Sequence, residues 1–501
     1  MALCQAVVLG LIALIIAPGY FFYFDVTPKV VVLLLGTAVL LLWPRLAVPR
    51  VFSVLILLNL ASLTVSTVVS TRPGLSLIGT SWREFGLVPQ AAALLFAWTV
   101  AAVPGNARLL LRGVAVAGIA AGAYGIAQYF GWDPLLPASA YHIGEGIWTI
   151  VRPPGTMGYV SYFATWLIMA AFLGVALAQG ESHRVWRCLA WASAAICVFA
   201  MLLTGTRAAM LGLAAGAAVW LCLRGARLDR RMARRIAAAA VLTALAGAAF
   251  YFSPAGWNLR SRSRWFAEDS SGGGRLLLWR DTLRMPAARP LAGFGPETFT
   301  AQFAHFESAQ LASLRPDFEW ESAHNMFLDV LAAQGVPGLI VLAALCGAAL
   351  WAGFRKPRET MTAGLTAALA AGMVSQQFSA MTIPTAVTIY VICGLLLRDA
   401  GRRAEARRQG KSPGPTRVAV CIVLLAFAIR LAASDHSLAQ AQNRLKAGDS
   451  GGAAASYASY RHGLLPGELA ADLWYSRASL ELAQRARNPA VRLQALTQAQ
   501  G

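Results

Sequence analysis

Glu321-Ser322-Ala323-His324-Asn325 closes a long polar stretch, 253–325, wedged between apolar runs long enough to cross a bilayer. To its left, apolar residues run through 236–252; to its right they resume at 336–354. The polar stretch collects arginines, carboxylates and tryptophans and ends on a His-Asn pair before the chain turns apolar again. A large extramembrane loop with ionisable groups at its edge is where a membrane enzyme places its chemistry.

The rest of the chain supports that reading. It is 57% hydrophobic and 13% charged, with a mean hydropathy of +0.56, against about 25% charged in a soluble domain. Apolar runs predict helices near 3–22, 29–43, 51–70, 87–103, 109–130, 160–178, 188–203, 208–223, 236–252, 336–354, 361–379, 382–397 and 417–434. The expected fold is all-α and polytopic, about 12–13 transmembrane helices, because backbone groups in hydrocarbon must be satisfied within each segment. Four regions follow: helices over 1–252, a large loop over 253–325, helices over 326–434, and a polar helical tail over 435–501. The first run, Leu3 to Ala17, lacks a cationic start and a small-residue cleavage site, and reads as a retained helix.

A net charge of +20 would suggest nucleic acid on a soluble chain. Here its placement argues against that partner. With the N-terminus cytoplasmic, alternate loops carry Arg45 and Arg50, Arg108 and Arg112, Arg184 and Arg187, the cluster from Arg224 to Arg235, Arg355 to Arg358, and Arg398 to Lys411. The intervening loops are near neutral; 253–325 holds eight arginines against eight carboxylates. This positive-inside pattern makes the charge a statement about topology. It puts the long loop and the tail on the far side of the membrane. The seven cysteines all fall in apolar segments, with no metal-binding spacing, and no metal or cofactor is expected.

Three further outer loops carry candidate residues. Arg83 and Arg152 end the first two near their re-entry into the membrane. Arg207 lies in the very short link Thr204-Gly205-Thr206-Arg207, and Arg275 opens Arg275-Leu276-Leu277-Leu278-Trp279. Arginines converging on one face suit a pyrophosphate, because the planar guanidinium binds phosphate oxygens bidentately. Each taken alone fits equally well as a snorkelling or headgroup-binding side chain. His324 is of a type that can accept a proton from a hydroxyl near neutral pH. Glu321 would hold its tautomer if the segment is helical, since i and i+3 share a face; Asn325 would cap the next helix or orient substrate. A surface histidine beside a helix start is the plainer alternative. Gly293-Phe294-Gly295-Pro296 lacks the strand and third glycine of a dinucleotide site, and Ser271-Gly272-Gly273-Gly274-Arg275 lacks the Gly-Lys-Ser/Thr of a P-loop.

At these residues the chain resembles the O-antigen ligase and polymerase superfamily of bacterial membrane glycosyltransferases. The matching pieces run in order. They are Ser76-Leu77-Ile78-Gly79 with Arg83; Tyr124 to Tyr129 with Asp133-Pro134; Arg152-Pro153 with Gly155-Thr156-Met157-Gly158; Thr204 with Thr206-Arg207-Ala208; Arg275 with Trp279; Pro290-Leu291 with Gly293 and Gly295-Pro296; and Glu321 with His324-Asn325. Where many relatives carry an Asn-containing turn, this chain reads Tyr159-Val160-Ser161. The resemblance implies a GT-C-like fold in the bacterial inner membrane. It implies transfer of a glycan from undecaprenyl diphosphate to an acceptor on the periplasmic side, without a metal and with inversion. Arg207 and Arg275 would hold the diphosphate, Arg83 and Arg152 would assist, His324 with Glu321 would activate the acceptor, and Asn325 and Trp279 would support. The acceptor could be lipid A-core, a second lipid-linked glycan, as in a polymerase, or a protein. A transporter of the same lipid-linked glycans, and a metal-dependent lipid-sugar glycosyltransferase, are the readings of another kind; no repeated halves favour the transporter. The tail looks like one or two tetratricopeptide-type hairpins and would be the part to meet a protein partner.

Overall fold

The computed structural model describes residues 1–43, 48–103, 105–137, 141–143, 150–224, 247–256, 274–314, 318–356, 360–398, 414–465 and 471–500, with single positions 139, 234, 245, 260 and 316. The cationic positions Arg45, Arg227, Arg230, Arg231, Arg235, Arg358 and 402–411, most of the helix expected over 236–252, and the Pro466-Gly467 break lie outside the described residues.

The protein is an all-α polytopic membrane protein. Among the described residues seven helices are long and apolar enough to cross a membrane: Arg50–Val68, Ala107–Tyr129, Val160–Gly180, Arg184–Leu203, Arg207–Arg224, Met326–Arg355 and Pro415–Lys446. Five shorter apolar helices, Ala2–Leu14, Thr27–Leu41, Leu87–Ala102, Met361–Ser375 and Ile383–Arg398, pack into the same bundle. Among the described residues the extended structure is one two-residue antiparallel pair, His142–Ile143 with Ile150–Val151. The Val160–Gly180 and Ile383–Arg398 helices are the most enclosed, and both read as unbroken apolar sequence. Small residues let their neighbours approach closely: a Cβ on Gly212 would stand 2.6 Å from the Ala371 carbonyl, and one on Gly364 2.6 Å from the Ala176 Cβ.

Two departures from the expected helices have local causes. The first helix stops at Leu14 rather than near 22, because Pro18 and Gly19, the latter at φ 78°, turn the chain. The aromatic run behind the turn then faces the tail: Phe22 meets Trp474 edge-on at 4.6 Å, and Asn443 Nδ2 donates to the Gly19 carbonyl at 2.8 Å. The boundary placed between 434 and 435 falls inside one continuous helix, Pro415–Lys446, that carries the chain from apolar into polar surroundings without a break. Three more helices follow, Ser450–Gly463, Asp472–Arg485 and Pro489–Gln500, and Tyr457 stacks on Tyr475 at 4.0 Å between them.

The expected helix over 336–354 begins at a break. Gly335 (φ 69°, ψ −168°) interrupts Met326–Arg355, and Pro337 follows it. A break in a membrane helix leaves carbonyls that need donors. The polar loop supplies them: the Phe294 amide donates to the Ala332 carbonyl at 3.0 Å and the Gly295 amide to Ala333 at 2.9 Å, while Ser66 Oγ donates to the same Ala333 oxygen at 2.5 Å. Val336 returns a bond to the Pro290 carbonyl at 2.8 Å. The loop also has a core of its own, in which Leu278, Phe294, Phe299, Phe303, Leu311 and Trp320 are buried together. Its residues are thereby fixed on the end of the bundle.

Candidate active site

The residues 318–325 are extended and turned, not helical, so the i, i+3 face shared by Glu321 and His324 does not exist. A different device aims the histidine. His324 adopts left-handed backbone, φ 52°, a conformation that costs a side-chain-bearing residue energy and needs support. Its amide donates to Ser322 Oγ at 2.8 Å. Ser322 Oγ donates in turn to the Asp329 carboxylate at 2.8 and 3.0 Å, and the Ala323 amide donates to Asp329 Oδ1 at 2.8 Å. Trp279 Nε1 donates to the Ala323 carbonyl at 3.0 Å. Asn325 is the N-cap of the following helix and accepts the amides of Phe327 and Leu328 at 3.0 and 3.2 Å.

His324 and Glu321 line a cavity of about 370 Å³ together with Arg83. Its other walls are Trp82, Tyr159, Tyr162 and Phe318, with Asp25 and Lys29 at one side and Thr382 and Pro384 at another. Burial raises the Glu321 carboxyl above the usual range; the Arg83 charge opposes this and the neighbouring Glu297 and Glu319 add to it. Lys29 is buried and donates through Nζ to the carbonyls of Ile15 and Asp25 at 2.8 and 2.5 Å.

Arg83 is engaged from within the protein. Its Nε donates to Glu297 Oε1 at 2.6 Å, its Nη2 lies 2.5 Å from the same oxygen, and the guanidinium rests 4.6 Å over the Trp82 ring. Thr80 donates to the other Glu297 oxygen through its amide at 3.1 Å and through its hydroxyl. Burial opposes the Arg83 charge most, but Glu297, Asp329 and Tyr162 together outweigh it and hold the group above the ordinary arginine value. Glu297 stands at φ 63° and Glu84 at φ 46°; with His324 these are the non-glycine residues of left-handed backbone among the described residues.

Arg152 and Arg275 form a second group. Burial lowers Arg152 below the ordinary arginine value; Tyr159 opposes this and the like charge of Arg275 adds to it. The Arg152 Nε is buried with no hydrogen-bond partner among the described residues. Arg275 opens the Arg275–Thr282 helix, and Trp279, one turn later on the same face, is the residue bonded to Ala323 beside the histidine. Arg207 begins its helix after a turn in which Thr204 Oγ1 donates to the Met201 carbonyl at 2.6 Å and Gly205 stands at φ 60°. Leu203, just before that turn, packs with Val151, next to Arg152, in one buried cluster. Tyr159 joins the two groups, since it interacts with Arg152 and lines the His324 cavity.

Sequence reasoning missed Glu297 and Lys29, and it met Ser322, Asp329 (among the family-like pieces) and Asp25 without giving them a role. Asp329 and Glu297 carried a signal, as carboxylates at the edge of a membrane segment; their partners lie far off in the sequence.

Fold and site together define a multi-pass membrane protein with ionisable groups gathered in a cavity at one end of its bundle. The family model described as O-antigen ligase matches residues 192–343, and the resemblance of the chain to that superfamily is shown over this stretch. The match takes in Arg207, Arg275, Trp279, Glu321, His324 and Asn325, with Glu297 and Asp329, while Arg83 and Arg152 precede it. It supports an O-antigen ligase-like function broadly, of the glycosyltransferase ligase or polymerase kind. No curated protein matches the chain.

Proposed function

We propose that the protein transfers a glycan from undecaprenyl diphosphate to an acceptor hydroxyl, at the periplasmic face of the bacterial inner membrane. The observation that carries this is the pairing of like charges at Arg152 and Arg275, with an unpartnered buried Arg152 nitrogen, beside a cavity that presents His324. Two guanidinium groups that repel each other in a half-buried site are stabilised by an anion between them. Arg207 and Arg275 hold the donor diphosphate, with Arg152 assisting; Arg83 faces the cavity from the other side.

His324 takes the proton of the acceptor hydroxyl as the oxygen attacks the anomeric carbon. The new C–O bond forms as the bond to the phosphate oxygen breaks, and its electron pair leaves on undecaprenyl diphosphate. The histidine then releases its proton to solvent. Attack opposite the leaving group inverts the anomeric centre. The leaving group is already a diphosphate, and cationic side chains aimed at its developing charge stabilise it where water is excluded. Lipid A-core, a second glycan or a protein side chain supplies the hydroxyl.

Transfer in proteoliposomes, from an undecaprenyl-diphosphate glycan to candidate acceptors and in the presence of EDTA, tests the reading. His324→Ala is expected to lower the rate by about 10²–10⁴-fold, the usual contribution of a positioned base, and Arg207→Ala to abolish transfer, with both variants still inserted in the membrane. Near-normal transfer by both would sink the assignment, and loss of transfer on chelation would sink the metal-free mechanism.

A further inference from the structure

The hydrogen bonds that hold the His324 backbone run inward, to Ser322 and Asp329. The His324 amide is held by Ser322, and Ser322 and Ala323 are held by Asp329. Asp329 sits on the short helical piece before the Gly335 break, and that piece is tied to the bundle by the Met326 amide, which donates to the Gln376 carbonyl at 3.0 Å. Behind Asp329 stands Arg83: the two line the same pair of small buried cavities, of about 40 and 20 Å³, and Glu297 lines both as well. One guanidinium thus lies among two carboxylates, one of which orders the histidine turn and the other of which comes from the long loop.

Resting on His324 as the acceptor base, we infer that Asp329 and Ser322 are positioning residues for His324, and that the Arg83–Glu297 ion pair acts through them rather than on the donor diphosphate. Two observations favour this over a direct role for Arg83. Its Nε and Nη2 are committed to Glu297 at 2.6 and 2.5 Å, leaving a guanidinium only 6% exposed. The left-handed backbone of His324 is held through its amide by Ser322 Oγ, which is itself held by Asp329.

The test uses the full chain in proteoliposomes with an undecaprenyl-diphosphate glycan as donor. Ser322→Ala and Asp329→Asn are expected to lower kcat by about 10²-fold, the cost of a misplacement of about 1 Å. The donor KM should stay within about twofold, because no ground-state contact to the donor is lost. Arg83→Gln should show the same split, and Ser322→Thr, which keeps the hydroxyl, should restore most of the rate. Wild-type kcat in Ser322→Ala overturns the inference, as does a raised donor KM at unchanged kcat in Arg83→Gln. If Asp329→Asn fails to insert, Ser322→Ala, the loss of one hydroxyl, decides alone. His324→Ala run alongside separates the two levels. Full transfer by that variant removes the base and the inference together, whereas its inactivity beside an unimpaired Ser322→Ala removes the inference only.

Discussion

Glu297 holds Arg83 at 2.6 Å from a position 214 residues away, and the two side chains are 1% and 6% exposed. An ion pair this dry is stabilised only while both partners are present, because an isolated buried charge is far costlier than a missing pair.

Glu297→Gln alone is therefore expected to destabilise the protein by about 3–5 kcal/mol. Replacing both residues, as Arg83→Met with Glu297→Gln, should cost less than the sum of the two single changes. Unfolding in detergent, measured as a double-mutant cycle, checks this; additive effects would show that the pair is not coupled.

Asn325 accepts two amides at the start of the Met326 helix, and little else in the first turn does so. Asn325→Ala should cost about 1 kcal/mol. Asn325→Ser or Asn325→Asp should recover most of it. A thermal melt in which alanine and serine behave alike would rule out the capping role.

Asp281 is fully buried within the long loop. Burial works against its charge, but the Ser308 hydroxyl at 2.6 Å, the Ser308 amide at 3.0 Å and Arg280 outweigh it and hold the carboxyl below the usual range. A depressed folded pKa adds stability above the unfolded carboxylate value, and that stability is lost as pH falls through the folded value. The loop should accordingly loosen on acidification below the ordinary aspartate range, and Asp281→Asn should flatten that dependence. Proteolysis between 281 and 308 followed against pH measures it.

Gly335 occupies φ 69°, and a Cβ there would meet the Pro290 carbonyl at 2.5 Å. Gly335→Ala should cost about 1–2 kcal/mol for the left-handed backbone and about 1–3 kcal/mol more for overpacking. Because the Pro290–Gly295 segment of the loop is bonded at this break, transfer activity should fall with stability. An alanine variant of normal stability would mean that the break is not needed.

Much of the bundle was legible because hydrocarbon imposes length and apolarity on each crossing. The helix read over 336–354 starts one residue after the observed break, and Asn325 caps a helix as its residue type suggested. What failed was local. The turn at Pro18-Gly19 was absorbed into an apolar run, and the boundary at 434/435 tracked the change from apolar to polar sequence although one helix passes through it. Glu321 and His324 were linked by a helical spacing in a segment that is not helical. The contacts that order the site, Arg83 with Glu297 and Ser322 with Asp329, join loops or loop and helix, and no periodicity announces them. Arginine positions were readable from their placement near membrane edges; which of them face an anion and which face a carboxylate was not.

Left-handed backbone at Glu84, Glu297 and His324 has a consequence for engineering. Each such residue costs on the order of 1–3 kcal/mol, so this corner of the protein is less stable than its hydrogen bonds alone would make it. Asparagine or glycine in place of Glu84 would relax the chain there, whereas the same change at Glu297 would break the ion pair to Arg83 and at His324 would remove the imidazole itself. Selection for robustness in detergent alone would therefore accept relief at Glu84 and at His324 alike, and only a readout of transfer would tell the harmless change from the one that deletes the proposed base.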